Sequence, residues 1–237
     1  MKSATKELLE ELKPYAIPFA MRRFGNPRRD GGYGLIKKFV EECDCVYSYG
    51  LGEVAEQNIF DDQLAKLGKK VYLFDDKAEK PFIEHENIIY EKAFIDSSNA
   101  YEIILKNKHE KYKNILLQID IEGSEYELFN NVDKRYFDHI SHICIELHDL
   151  TDPSEDKLKT IKYLNKHYYI YHIHANNHDT KFDSEFRILP NTLEVCYIKK
   201  DLLDFKPYLC KIPRPINGID KACKEESQDF LLTWWCD

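Results

Sequence analysis

The chain has 237 residues, of which 43% are hydrophobic, and 34 Lys and Arg stand against 42 Asp and Glu, for a formal net charge of −8. This length suits one α/β domain with a sizeable core. The acidic balance argues against a partner that is nucleic acid, because binding a phosphate backbone needs a basic face. The one dense basic stretch is RRFGNPRR, residues 22–29.

The cysteines and the apolar stretches of the sequence indicate in which cellular compartment the protein resides. The seven cysteines form no CxxC pair and no metal-finger spacing, which favours reduced thiols. No apolar run approaches the length that spans a bilayer, and the opening MKSATKELLEELK lacks the apolar segment of a signal peptide. We therefore expect a cytoplasmic protein without a membrane span. The apolar ending DFLLTWWCD is expected to pack on the body or on a second copy, as in a homo-oligomer.

Short stretches rich in β-branched and aromatic residues predict seven strands. They are CVYSYG (45–50), KVYLFD (70–75), NIIYEKAF (87–94), NILLQID (114–120), HICIELH (142–148), YYIYHIHA (168–175) and LEVCYIK (193–199). Helical patterns separate most of them: Val54 to Leu67, Ser97 or Ser98 to Lys106, Ser124 to Val132, and a helix that starts after Ser154.

The alternation of strands and helices predicts a doubly wound α/β fold. A polar loop without a helical pattern joins the last two strands, so we expect the last strand to be antiparallel in a mostly parallel sheet. The prediction is a single Rossmann-like domain with helices on both faces. Its core spans 43–200, with an N-terminal helical cap and glycine-rich loop over 1–42 and a C-terminal extension over 201–237.

The first strand runs into VYSYGLGE, residues 46–53, which predicts a ligand loop. Gly50 and Gly52 allow the backbone to approach a ligand closely, and a helix that starts near Glu53 would direct its positive end there. Ligands in such sheets bind beyond the carboxyl ends of the strands, where the strand order reverses. Asp75, or its neighbour Asp76, ends the second strand at the place of a ribose-binding carboxylate. The alternative is a tight turn followed by a solvated pair of aspartates.

The third glycine of the dinucleotide pattern is missing, since Ala55 occupies its position. A pyrophosphate needs that glycine for close helix packing, whereas a nucleoside without phosphates does not. This favours S-adenosyl-L-methionine, a sulfonium cation, over NAD. The acidic surroundings also suit a cation better than an anion; they comprise Glu53, Asp75, Asp76, Asp120 and Glu122.

The fourth strand leads into LLQIDIEGSEYELF, residues 116–129, which resembles the "lKiDiEGaE" motif of the FkbM-type methyltransferases. Matching positions are held by Asp120, Glu122, Gly123 and Glu125, whereas Gln118 replaces the usual lysine. RRFGNPRRDGGYGL, VYSYGLGE, HICIELH, HIHANN and LPNTLEVCYI resemble further segments of that family in order. The resemblance runs from about Arg22 to Ile198. It implies a class I fold, S-adenosyl-L-methionine as methyl donor and often a sugar hydroxyl as acceptor.

The predicted donor site comprises Tyr49, Gly50, Gly52, Asp75, Asp76 and Asp120. A sugar hydroxyl is a poor nucleophile and needs a general base or a metal ion. His148, at the end of the fifth strand, is the favoured base because imidazole titrates near neutral pH, and Asp120 is the next candidate. Glu122 completes the predicted catalytic set, with a role as a helix cap as its alternative.

The predicted acceptor site draws on the N-terminal loop and the later strand ends: Arg23, Asp30, Tyr33, Glu146, His174 and Asn176. We expect a small-molecule or nucleotide-linked sugar, or a component of a surface polysaccharide. Arg22, Arg23, Arg28 and Arg29 are natural partners of a diphosphate; the alternative is a solvated basic turn.

A divalent metal such as magnesium could bind Asp120, Glu146 and His148, but no spacing fixes such a site and no metal ligand is predicted. The competing functions are an NAD-dependent oxidoreductase of Rossmann type and a catalytically inactive nucleoside-binding module.

Overall fold

The computed structural model describes residues 2–52, 55, 58–181 and 189–236. Seven strands build the central sheet of this part of the chain. They are β4 Cys45–Tyr49, β5 Val71–Asp75, β6 Ile88–Lys92, β7 Ile115–Ile119, β8 Ile140–Leu147, β9 Tyr168–Lys181 and β10 Leu189–Lys199.

The strand order is β6-β5-β4-β7-β8-β10-β9. β4 to β8 pair in parallel, and β10 is antiparallel to both of its neighbours, β8 and β9. The strand order reverses between β4 and β7, which is where doubly wound sheets bind ligands. The predicted fold class, a Rossmann-like and mostly parallel seven-stranded sheet with an antiparallel last strand, is confirmed.

Helices cover the sheet and follow the predicted order. They are α1 Lys2–Glu11, α2 Lys37–Glu42, α3 Ile59–Lys66, α4 Ala100–Lys106, α5 Glu125–Asn131 and α6 Glu155–His167. The start predicted near Glu53 and Val54 lies outside the described residues. α4 begins after Asn99, because Asp96 accepts the backbone N–H of Ser98 and holds that segment in a turn. No helix in the described ranges is long and apolar enough to cross a membrane.

The N-terminal segment differs from the predicted glycine-rich loop. After the short strand β1 (Tyr15–Ala16), the chain forms an antiparallel hairpin from β2 (Met21–Gly25) and β3 (Gly32–Ile36). The side chain of Asn26 accepts the backbone N–H groups of Arg28 and Arg29, and this turn chemistry closes the hairpin. DGGYG is therefore mostly strand, and it packs against the sheet instead of covering it as a loop.

The sheet is buried on both faces, as expected of parallel strands. Tyr47, Tyr49 and Leu117 face the core beneath α4, α5 and α6. Val46 and Leu116 face the second core, beneath α2, α3 and the hairpin. Since side chains alternate along a strand, Ser48 and Gln118 share this second face, on which the cleft described below opens.

The C-terminal extension returns to the body. It contains β11 (Tyr208–Leu209), which pairs with β1, and an isolated bridge between Arg214 and Leu232. Trp235 is buried, and the indole N–H of Trp234 donates to the carbonyl of Leu9 in α1. Part of the apolar ending therefore packs on the chain's own body, with Leu232 and Trp235 in the core beside α1, whereas Leu231 is exposed.

Candidate functional site

An open cleft lies beyond the carboxyl ends of β4 and β7. Its lining combines three carboxylates, two aromatic rings and residues 50–52, which we call the glycine loop. No Lys or Arg is among the described lining residues. These are Asp30, Gly31, Tyr33, Gly50, Leu51, Gly52, Phe60, Asp61, Gln118 and Asp120. The cleft is thus at the position predicted for a ligand, and its charge is negative.

The glycine loop touches the loop after β7. Gly50 has a φ of +92°, and a Cβ at this position would lie 1.9 Å from the backbone oxygen of Asp120. The Gly50 N–H donates to the carbonyl of Phe74, and the Asp120 N–H donates to the carbonyl of Tyr49, both at 2.9 Å. Glycine is required here by conformation and by space together. This contact sets the floor of the cleft.

Asp75 fixes the glycine loop from the end of β5. Its Oδ2 accepts the N–H of Leu51 at 2.9 Å, and its Oδ1 accepts the N–H groups of Lys77 and Ala78 at 2.8 and 2.7 Å. Asp76 is exposed. Neither carboxylate is among the lining residues, so the ribose contact remains a prediction, whereas the support of Leu51 is a structural role of Asp75.

Tyr49 does not present its ring to the cleft. The ring is fully buried in the opposite core, and its hydroxyl accepts a hydrogen bond from Tyr136 at 3.1 Å. Only the backbone of Tyr49 reaches the glycine loop. Gln118, which replaces the lysine of the motif that DIEGSE resembles, accepts a hydrogen bond from Ser48 at 2.7 Å and donates to the hydroxyl of Tyr33 at 3.4 Å. Gln118 thereby ties the hairpin to the cleft floor.

His148 lies among three carboxylates beside the cleft. Its Nδ1 is 3.2 Å from Glu125 Oε1, and its Nε2 is 3.7 Å from Asp120 Oδ1 and 3.8 Å from Glu122 Oε2. Burial lowers the pKa of His148, but these carboxylates outweigh burial and raise it to about 9. The imidazole is therefore mainly protonated at pH 7, which makes it a cation and not a base in the ligand-free protein.

Asp120 combines a cleft position with a perturbed pKa. Burial raises the pKa of Asp120 to about 6, against the opposing influence of His148 and of a hydrogen bond with Glu146. Its Oδ1 is buried and has no hydrogen-bond partner among the described residues. This oxygen therefore has hydrogen-bonding capacity that no described residue uses. At pH 7 the carboxylate is ionised and more basic than an ordinary aspartate.

The neighbours of Asp120 differ in their exposure. Glu146 is buried, and burial together with the charge of Asp120 raises its pKa well above the ordinary value. Asn176 donates to Glu146 at 2.6 Å and thus supports it from β9. Glu122 has a φ of +57° and a side chain that is 74% exposed, so it lies at the rim.

Two residues of the site were missed as site residues in the sequence. Glu125 is completely buried, and its Oε1 accepts the N–H groups of Ile121 and Gly123 as well as contacting His148. Its place in DIEGSE was the available signal. Asp61 lines the cleft from α3, and burial raises its pKa to about 6. A carboxylate inside an amphipathic helix gave no signal for that role.

The hairpin residues divide between the cleft and the turn. Asp30 and Tyr33 line the cleft. The guanidinium of Arg23 donates to the backbone carbonyls of Asn26 and Arg29, both at 2.6 Å, and of Ile219 at 3.3 Å. Arg23 therefore closes the turn and is not directed at an acceptor phosphate in this state.

His174 lies apart from the cleft lining. It is buried between Glu194 and Asp229, with its Nδ1 at 2.7 Å from Glu194 Oε2 and its Nε2 at 3.0 Å from Asp229 Oδ2. The predicted contact with an acceptor stays a prediction. Asp120, Glu125 and His148 offer ligand atoms within 4.8 Å of one another, so Glu125, and not the Glu146 considered from the sequence, completes this group.

Comparisons with known proteins do not identify a family for this chain. No protein-family model matches the chain, and no curated protein does. Among solved structures, the chain is similar to VP4 of bluetongue virus, described as a multifunctional RNA-capping production line, with 14% identity and a TM-score of 0.38. The match covers 88% of this chain and 37% of VP4, so the chain spans little more than a third of that protein. We draw no argument about function from this likeness.

Proposed function

We propose that this protein is an S-adenosyl-L-methionine-dependent O-methyltransferase that transfers a methyl group to a sugar hydroxyl. The observation that carries the proposal is the acidic cleft at the reversal of strand order, where Gly50 closes against Asp120 and three carboxylates line the wall. A sulfonium cation is attracted to such a site, whereas the phosphates of NAD are repelled.

The donor lies across the glycine loop in this proposal. The backbone of Gly50 and Gly52 faces the nucleoside, and Asp75 holds Leu51 so that the loop is preformed. Asp61 and Asp120 supply negative charge near the sulfonium. A preformed loop lowers the ordering cost of binding.

Asp120 is the proposed general base. The hydroxyl oxygen attacks the methyl carbon opposite the sulfur, the C–S bond breaks with its electron pair going to sulfur, and the hydroxyl proton passes to a carboxylate oxygen of Asp120. Alignment of the reacting atoms supplies much of the rate. His148 is a positioning residue, because its positive charge at neutral pH prevents it from taking a proton while it keeps Asp120 ionised.

The acceptor is proposed to enter along the hairpin. Asp30 and Tyr33 line the cleft and carry hydrogen-bonding groups of the kind that a sugar needs. The resemblance of DIEGSE and of the hairpin sequence to the FkbM-type methyltransferases supports a sugar. Arg28, in the exposed turn, is the proposed partner of the phosphates of a nucleotide-linked sugar.

Transfer of a labelled methyl group to a panel of free and nucleotide-linked sugars, with and without magnesium, tests the proposal. We expect turnover by the wild-type protein and by Glu127→Gln, an exposed change on the same helix as Glu125. Asp120→Asn should bind the donor and lose at least about 100-fold in kcat, since general-base catalysis contributes about 10²–10⁴-fold. Donor binding with full turnover in Asp120→Asn would contradict the proposed base, and no turnover with any acceptor would contradict the proposed activity.

A further inference from the structure

A second group of ligand-type side chains lies behind the cleft, at the junction of the sheet with the C-terminal extension. Glu194 of β10 is paired in register with His174 of β9, so the two side chains share one face of the sheet. Cys223 meets them from the extension. All three are buried, with 1% of His174, 4% of Glu194 and 2% of Cys223 exposed.

The donor atoms are close enough to share one ion. His174 Nδ1 is 2.7 Å from Glu194 Oε2, and Cys223 Sγ is 3.8 Å from Glu194 Oε1. One ligand atom from each of the three residues lies within 4.8 Å of the others. Zinc bonds of about 2.0–2.3 Å at tetrahedral angles place neighbouring ligand atoms about 3.3–3.5 Å apart. The two observed separations, one to each oxygen of Glu194, lie on either side of that range, so binding needs side-chain rotations that bring the three ligand atoms around one point.

The other ring nitrogen of His174, Nε2, contacts a carboxylate, as is usual for metal-binding histidines. Its Nε2 contacts both oxygens of Asp229, at 3.0 and 3.2 Å. A carboxylate on the outer ring nitrogen fixes the ring orientation and makes the inner nitrogen a better ligand. Two carboxylates thus contact one imidazole. A dication would balance this buried charge, since an imidazolium carries one positive charge only.

We propose that His174, Glu194 and Cys223 bind a zinc ion, with Asp229 as the carboxylate that orients His174. The mixed nitrogen, oxygen and sulfur ligands suit zinc better than magnesium or calcium, which prefer oxygen alone. On binding, the Cys223 thiol and Nδ1 of His174 release their protons to solvent, the thiolate and Nδ1 bond to the metal, and Nε2 keeps the proton that it shares with Asp229. The site is separate from the proposed methyl-transfer chemistry and does not depend on it.

The zinc would fasten the C-terminal extension to the sheet edge next to the cleft. The backbone N–H of Asp30, a lining residue, donates to the carbonyl of Cys223 at 3.2 Å. Asn177 accepts the N–H of Lys224 at 2.7 Å and so holds the same segment. A metal at Cys223 therefore stabilises the wall of the cleft that the hairpin turn forms.

Metal content and cobalt spectroscopy of the full chain test this site. Protein stripped with a chelator and titrated with zinc should bind one ion per chain. Cobalt in its place should give a near-ultraviolet thiolate-to-cobalt absorption, which the sulfur-free group of Asp120, Glu125 and His148 cannot produce. Cys223→Ser should remove that absorption and weaken zinc binding at least tenfold. Cys43→Ser, a buried thiol that contacts the carbonyl of Val40, is the matched control and should leave both unchanged.

X-ray absorption of the zinc-loaded wild-type protein keeps the test independent of whether Cys223→Ser folds. One sulfur at about 2.3 Å together with nitrogen or oxygen at about 2.0 Å is the expected shell. A shell of nitrogen and oxygen alone, a thiolate absorption that survives Cys223→Ser, or no zinc binding by the wild-type protein would overturn the proposal. None of these results bears on donor binding.

Discussion

The Glu125→Gln variant probes the charge arrangement around His148 most directly. Glu125 is completely buried and lies 3.2 Å from the imidazole, while its Oε1 also accepts the N–H groups of Ile121 and Gly123. A glutamine keeps an oxygen at that position and removes the charge. The backbone of the loop is thereby preserved, and the electrostatic contribution to the pKa of His148 is lost.

The expected magnitude follows from linkage. The pKa of His148 rises from 6.5 to about 9 on folding, so the folded protein holds the proton more tightly than the unfolded chain. The resulting stabilisation is fully present below pH 6.5 and is lost as the pH rises through about 9. At 1.36 kcal/mol for each pKa unit it amounts to at most about 3 kcal/mol. Glu125→Gln should remove a large part of it at pH 6 and much less at pH 9.

Urea unfolding at both pH values and proton NMR of the imidazole give the two readouts. The pKa of His174 is also raised, but His174 is unchanged in the variant, so the difference between the two proteins isolates His148. Glu127→Gln, the exposed change on the same helix, should shift the free energy of unfolding by less than about 0.5 kcal/mol at either pH. A wild-type His148 that titrates near 6.5, or a loss in Glu125→Gln that is equal at pH 6 and pH 9, would refute the reasoning.

Three further predictions concern Gly50, Asp61 and Asp75 at or beside the cleft. Gly50→Ala and its control Gly68→Ala both place a side chain at positive φ, which costs about 1–2 kcal/mol. Gly68 has open space around it, so thermal unfolding should show a clearly larger loss of stability for Gly50→Ala. Equal losses of stability would contradict the close contact between Gly50 and Asp120. Asp61→Asn should stabilise the protein by up to about 3 kcal/mol at pH 7, because burial raises the pKa of Asp61 to about 6 and its ionisation weakens the fold as the pH rises. In urea unfolding that gain should vanish near pH 4; a gain that persists there would have another cause. Asp75→Ala should release the glycine loop and weaken donor binding in calorimetry at least tenfold, and unchanged affinity would show that the loop needs no such support.

The sheet was predictable because its signals are local. Each strand is a short apolar run, and the cap of α6 is visible as Ser154, whose side chain accepts the N–H of Lys157. The hairpin was not found, since its glycines fit a loop equally well and its pairing depends on Asn26 in the turn. Pairing between strands is a tertiary property that composition does not encode.

Positions in the site were predictable from strand ends, whereas protonation states were not. Asp120, Gly50 and Gly52 line the cleft as expected of the first and fourth strands of the sheet. The cationic state of His148 depends on Glu125, the first residue of α5, whose side chain contacts the imidazole. The direction of the Tyr49 side chain was also not predicted. Strand alternation places its ring in the core, while its backbone borders the cleft.

Titration calorimetry with S-adenosyl-L-methionine, its demethylated product and NAD tests the central claim, that the acidic cleft is a methyl-donor site. We expect the wild-type protein and Gly68→Ala to bind the donor and its product and to bind NAD far more weakly. Gly50→Ala should lose donor binding, since its Cβ would meet the backbone of Asp120 at the cleft floor. Binding of NAD in preference to the donor, or donor binding that Gly50→Ala leaves unchanged, would contradict the account.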